Sequence, residues 1–318
     1  MKKIAIILCA CLCFSAFSSS IAFAAENNTG NIGLVNYQPG SSGVMWLDEN
    51  RVEHFISGDE ILSFGSASSV SAPAHLIEFE TPESEEPEHE NRMMEIAKPE
   101  ILTSFGKYSP VVRIQAKFEF PDGTNATKWG TGTFIGPKGV LTCAHVLYDR
   151  DTKTWANEVN IYTKYVDLNN YGKKYKHKQL YIGGEYINGK NPNLDDWGII
   201  TTSETSVVGY LGFDYVTDLS ELDGLYAIAL GYFSESETAI PAKFAREDVY
   251  LINPNARSLP SIYFNGQAVP GFSGGPLLEK GIDDTYVRAI ITGEQSYYSR
   301  GLAINEWLFN TIYEYSGR

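Results

Sequence analysis

The sequence predicts an all-β fold closed by one helix, and three features carry that prediction. Beyond residue 108, short alternating or apolar runs recur at 111–118, 131–135, 139–142, 198–202, 225–232, 249–252, 261–264, 276–278 and 287–292. Gly, Pro, Asn and Asp fall between them, the punctuation of strands joined by turns. Only residues 305–315 carry a helical period, with Leu308, Ile312 and Tyr315 on one face and Asn305 placed to cap the first turn. Frequent short strands of this kind suit a sandwich or barrel, and no internal sequence repeat is visible.

Taken in order, the chain opens on Met1-Lys2-Lys3, an apolar stretch over 4–17 and an Ala22-Phe23-Ala24 pattern. That is the layout of a secretory signal peptide, with cleavage expected near Ala24 and a secreted, extracellular product. Ser18-Ser19-Ser20 interrupts the apolar run before spanning length, so no membrane association is expected after cleavage. Residues 25–75 hold strand-like patches at 44–47 and 60–64 in a Gly/Ser-rich background. The Glu- and Pro-rich stretch 80–92 offers no aliphatic or aromatic side chain to bury and reads as an exposed, protease-accessible linker. Charge divides the chain at the same place: the net is −12 over residues 25–100 and −4 over 101–318. The expected organisation is a signal peptide at 1–24, an acidic pro-segment and linker at 25–92, and a main domain at 93–318. Maturation is expected between residues 86 and 100, with 90–93 favoured.

Within the main domain two motifs carry chemistry. Gly271-Phe272-Ser273-Gly274-Gly275-Pro276 sets a serine among glycines, which lets the backbone turn tightly. The N–H groups of Gly271 and Ser273 then aim at one point, an oxyanion hole, with the side chain exposed between them. Serine needs a base to become a nucleophile, and Thr142-Cys143-Ala144-His145 supplies one in His145. The serine motif also satisfies the G-x-S-x-G elbow of α/β-hydrolases, but that fold places its histidine after the serine. No histidine follows Ser273. An acid lies between base and serine in Asn193-Leu194-Asp195-Asp196-Trp197-Gly198, and Asp196 is preferred with Asp195 as runner-up. The order His145, Asp196, Ser273 is the order of chymotrypsin.

These motifs resemble the secreted bacterial trypsin-like serine proteases of the glutamyl endopeptidase (V8-like) family. Gly132-Thr133-Phe134-Ile135 leading into Leu141-Thr142-Cys143-Ala144-His145-Val146 looks like its strand–turn–strand carrying the base. Asp196-Trp197-Gly198-Ile199 looks like the start of the strand bearing its acid, and 271–276 is similar to its nucleophile loop. The resemblance runs from about residue 106 to the C-terminus and implies two chymotrypsin-like β-barrels with the active site between them. It implies His145 as general base, Asp196 as its orienter and Ser273 as nucleophile. Gln267 and Ala268 before the serine, and Ile291, Thr292, Gly293 and Glu294 after it, are the implied pocket residues. The family's preference for glutamate is tied to a pocket histidine, which this chain lacks. No positive group is visible at the listed positions in the sequence, so the P1 preference stays open, with Glu294 as an acid that favours a basic residue or simply faces water.

The remaining composition narrows the class. Three of four cysteines, Cys9, Cys11 and Cys13, leave with the signal peptide, so Cys143 has no disulfide partner and is expected to be a small buried filler. His145 and His177 are the histidines beyond residue 92, without an H-E-x-x-H pattern, and no calcium-loop signature occurs, so neither metal nor cofactor is expected. The basic cluster Lys173, Lys174, Lys176 and Lys178 reads as a solvated loop rather than a nucleic-acid face. The expected partners are protein or peptide substrates, met as a monomer. Two rivals keep the fold: a toxin-like protease with one narrow target, and a secreted binding protein.

Overall fold

A strand that alternates apolar and polar side chains buries one face, and closing a sheet on itself removes its exposed edges. The computed structural model describes residues 43–62, 71–77, 99–189, 192–215, 217–233, 242–252, 260–267, 269–281, 284–294 and 298–318. The signal peptide, the 80–92 linker and the favoured cleavage neighbourhood lie outside the described residues.

Strands β1 (Val44–Leu47) and β2 (Glu53–Ile56) form an antiparallel hairpin. The first barrel follows: β3 (Val111–Glu119), β4 (Asn125–Phe134), β5 (Gly139–Thr142), β6 (Glu158–Thr163), β7 (Lys174–Gly183) and β8 (Gly198–Thr202). They pair antiparallel in the cyclic order β6-β3-β4-β5-β8-β7, and β7 returns to β6 to close the barrel. The second barrel is built from β9 (Tyr226–Phe233), β10 (Lys243–Ile252), β11 (Ser261–Phe264), β12 (Pro276–Glu279), β13 (Tyr286–Glu294) and β14 (Ser299–Ala303). Its cyclic order is β12-β9-β10-β11-β14-β13, closed by β12 against β13.

Alternation assigns each strand's two faces to different cores. Val140 and Ile200 fill the first barrel, while their neighbours Leu141 and Ile199 face a separate cluster with Ile228, Leu230 and Tyr232 of the second barrel. That shared cluster cements the two barrels together. A second interior, including Ala229, Val249, Phe264, Phe272 and Ile291, fills the second barrel. The expected terminal helix is present at Glu306–Tyr315, with the Asn305 side chain accepting from the Leu308 N–H at 2.9 Å. Its Trp307, Leu308, Phe309 and Ile312 join the shared cluster. Among the described residues, no helix is long and apolar enough to cross a membrane.

Three sequence readings change here. The patch at 60–64 is not a strand in its described part, which belongs to a short helix at Gly58–Leu62. The basic cluster is mostly strand, not loop: along β7, Tyr175 points inward at 1 % exposure while Lys176 and Lys178 point out. The patch at 44–47 is a strand as expected, but its partner was not foreseen. β1 pairs with β7 of the first barrel, from Val44 opposite Gly183 to Leu47 opposite Leu180. Val44 and Leu47 are buried, the Trp155 Nε1–H donates to Glu53 at 2.8 Å, and Ala72 pairs with Phe213. The Arg318 guanidinium donates to the Pro73 carbonyl at 2.6 Å, tying the C-terminal residue to the same segment.

Candidate active site

His145 reaches its place through a change of backbone geometry. Strand β5 ends at Thr142, Cys143 is still extended, and the chain then turns into a single helical turn at Ala144–Leu147. Ala144, Val146 and Leu147 are buried, leaving the His145 ring about one-third exposed. The acid arrives by register. Gly198 of β8 lies opposite Thr142 of β5, so the residues just before β8 continue alongside 143–145. A side chain at Gly198 would meet Leu147 at 2.8 Å and the Cys143 carbonyl at 3.2 Å, so glycine permits this close approach.

Both oxygens of Asp196 are committed to His145. One lies 2.7 Å from Nδ1, and the other accepts the His145 backbone N–H at 3.0 Å. The carboxylate is 5 % exposed. Such a partner holds the proton on Nδ1 and leaves Nε2 as the basic nitrogen facing the cleft. Asp195 points elsewhere. It is wholly buried, accepts the Trp197 Nε1–H at 2.6 Å and the Glu185 N–H at 2.9 Å, and is neither solvated nor turned to the imidazole.

The loop at 271–276 is held by both barrels. Gly271 and Gly274 adopt φ of +102° and +85°, which side chains resist. A Cβ on Gly271 would also lie 2.4 Å from the Tyr232 carbonyl, and one on Gly274 would strike Thr142 and the Thr131 carbonyl. From the first barrel, the Thr131 N–H donates to the Ser273 carbonyl at 2.8 Å and the Thr131 hydroxyl to the Gly271 carbonyl at 2.6 Å. From the second, the Ile291 carbonyl accepts the Gly274 N–H at 2.8 Å, and Phe272 is buried in the barrel interior. Phe272 thus points inward while Ser273 stays partly exposed. Among the described residues, the N–H groups of Gly271 and Ser273 and the Ser273 hydroxyl make no hydrogen bond.

Cys143 links the two halves. Its thiol is fully buried, donates to the same Ile291 carbonyl at 3.1 Å, and is pushed well above the usual range by burial. Its sulfur and the ligand atoms of His145 and Asp196 lie within 4.8 Å of one another, a set that can hold a metal ion. Two of the three are already engaged, however: the protonated thiol by a carbonyl, the carboxylate by the two N–H groups of His145.

The pocket candidates separate. Gln267 is exposed, and Ala268 lies outside the described residues. The Ile291 side chain is buried in the second barrel. Thr292 is buried with its hydroxyl donating to the Arg300 carbonyl at 3.3 Å. Gly293 and Glu294 end β13. The structure also brings a positive group that the local sequence hides. Arg300 stands across from Gly293, and its guanidinium is 3.6 Å from where a Gly293 side chain would begin.

Two further charged residues escaped the motifs. Arg113 is fully buried, donates to the Tyr232 carbonyl at 2.7 Å beside Gly271, and lies over the Trp129 ring. Burial draws its guanidinium down to about 10. Its signal was an arginine inside the apolar run Val111-Val112-Arg113-Ile114. Glu247, 1 % exposed, packs its carboxyl against Gly266, just before Gln267. The Gln267 N–H favours its ionised form, but neither oxygen closes a hydrogen bond, and burial pushes the group up to about 8.

Comparison with known proteins agrees with this architecture. Residues 130–281 match the trypsin-like peptidase domain, a stretch that holds His145, Asp196 and Ser273. Among solved structures, the chain is similar to a Glu endopeptidase in complex with MPD, at 17 % identity and a TM-score of 0.54 over 68 % of this chain and 95 % of that one. It is similar to the protease Anisep from Arthrobacter nicotinovorans, at 17 % and 0.51 over 65 % and 95 %. The thermostable serine protease AL20 from an extremophilic microorganism aligns at 14 % and 0.52 over 67 % and 100 %. At these identities the likeness is one of fold, the paired chymotrypsin-like barrels. No curated protein matches the chain.

Proposed function

We propose that this chain is a secreted serine endopeptidase of the V8-like kind, made as a proenzyme and acting as a monomer on protein or peptide substrates. The observation that carries the reading is the His145–Asp196 couple, set beside a glycine-strained loop whose Gly271 and Ser273 N–H groups have no partner among the described residues. Ser273 attacks the scissile carbonyl as His145 Nε2 takes its proton. Asp196 holds the imidazole in the required tautomer and stabilises its positive charge. The Gly271 and Ser273 N–H groups receive the oxyanion. His145 returns the proton to the leaving amine, and water then releases the acyl-enzyme by the same route in reverse. The chemistry requires neither metal nor cofactor.

The test is hydrolysis of a mixed peptide library by the purified protein, intact and after cleavage between residues 86 and 100, beside Ser273→Ala. Cleavage of internal amide bonds, reduced about 10⁴-fold or more in the variant, is expected. Cleavage surviving the substitution overturns the reading.

A further inference from the structure

The Arg300 guanidinium spans the two barrels at the cleft. Its Nε–H donates to the Thr292 hydroxyl at 3.2 Å, and a terminal N–H donates to the Asn193 side chain at 3.2 Å. Thr292 follows Ile291, whose carbonyl holds the nucleophile loop, and Asn193 lies three residues before Asp196. The charge therefore sits between the strand beside the nucleophile and the loop that delivers the catalytic acid. Gly293 leaves this space open, since any side chain there would start 3.6 Å from the guanidinium.

An arginine carries five N–H donors in a planar fork that matches a carboxylate. Two are spent here, on neutral oxygens. Among the described residues Arg300 donates to Thr292 and Asn193 and has no carboxylate partner, and it is half-buried. The neighbouring strand is also suited to receive a peptide. Beyond Ile291, β13 pairs with β14 on one edge, Gly293 with Arg300 and Glu294 with Ser299, while its pairing with β12 has ended at Ile290. An extended chain can add to the open edge with its acyl-side residues running past Arg300.

Resting on the serine-protease reading, we propose that Arg300 binds a carboxylate side chain of the substrate at P2, P3 or P4, upstream of the P1 residue that Ser273 attacks. This is a specificity site separate from the P1 pocket. A carboxylate arriving there completes a charge-assisted pair that none of the described residues supplies.

The experiment is a cycle between enzyme and substrate. Peptides sharing the best P1 residue carry Glu or Gln at P2, P3 or P4, and kcat/KM is measured with wild type, Arg300→Gln and Arg300→Lys, each intact and after cleavage between residues 86 and 100. At one of these positions wild type is expected to prefer Glu about tenfold or more. The preference should vanish in Arg300→Gln and return in part in Arg300→Lys. Because each ratio is taken within one protein, loss of a folded fraction does not disturb it, and the wild-type ratio stands even where a variant fails to fold. A wild type without acidic preference at P2–P4, a preference that survives Arg300→Gln, or an effect confined to P1 overturns the proposal. Failure of the catalytic reading looks different: wild type then cleaves none of the peptides and takes no fluorophosphonate at Ser273.

Discussion

Asp195 and Asp196 are chemically identical neighbours with opposite surroundings, set in the short connection before β8. Asp196 faces the imidazole, while Asp195 caps a short helix and holds the Trp197 indole. Asp196, which the sequence preferred, makes the imidazole contact, whereas the burial of Asp195 was not legible, because an acid buried beside a tryptophan leaves no periodic signal. Their amides should therefore fail differently. Asp196→Asn should lower kcat by about 10⁴-fold by favouring the wrong tautomer. Asp195→Asn should cost roughly 1–3 kcal/mol of stability with a much smaller loss of kcat, as denaturant titration and steady-state kinetics will read. Glu247 gives a pH signature. Below its ordinary value of 4.5, folded and unfolded chains both carry the proton. Between there and about 8 only the unfolded chain ionises, so this group's contribution to stability falls as pH rises and is fully lost above about 8. Relative to wild type, Glu247→Gln should gain roughly 2–4 kcal/mol at pH 8.5 and nothing at pH 4, measured from urea midpoints.

At the scale of elements, alternation made most barrel strands and the terminal helix legible, since each buries one face. Pairing between distant segments was not legible. The strand at 44–47 announces itself by composition, but nothing local says that it joins β7. Arg300 was hidden likewise: it lies on the next strand past Glu294 and meets Gly293 only once β13 and β14 pair. The leader therefore has a structural part as well as its proposed pro-segment role. Leu47→Ala should cost about 2–4 kcal/mol, the range for a buried leucine. A protease nick between residues 78 and 98 should leave the fragment holding 43–76 bound through gel filtration. Its release under native conditions would show that these strands contribute little.

At the scale of the whole molecule, the cleft works only if two separately cored barrels keep their register. Thr131 is the main polar rivet: its hydroxyl donates to Gly271 and accepts the Tyr232 N–H at 2.9 Å, while its N–H holds Ser273. Thr131→Val removes the hydroxyl alone. We expect roughly 1–3 kcal/mol of lost stability and a fall in kcat larger than any rise in KM, because the oxyanion donors lose their support. The central claim is that an imidazole at 145 activates the hydroxyl at 273. Its most direct measurement is the rate and site of fluorophosphonate labelling on the protein, intact and after cleavage between residues 86 and 100, mapped by mass spectrometry. The account predicts one adduct, on Ser273, formed at least about 10³-fold more slowly in His145→Gln. An adduct elsewhere, no adduct, or labelling as fast without His145 would contradict it.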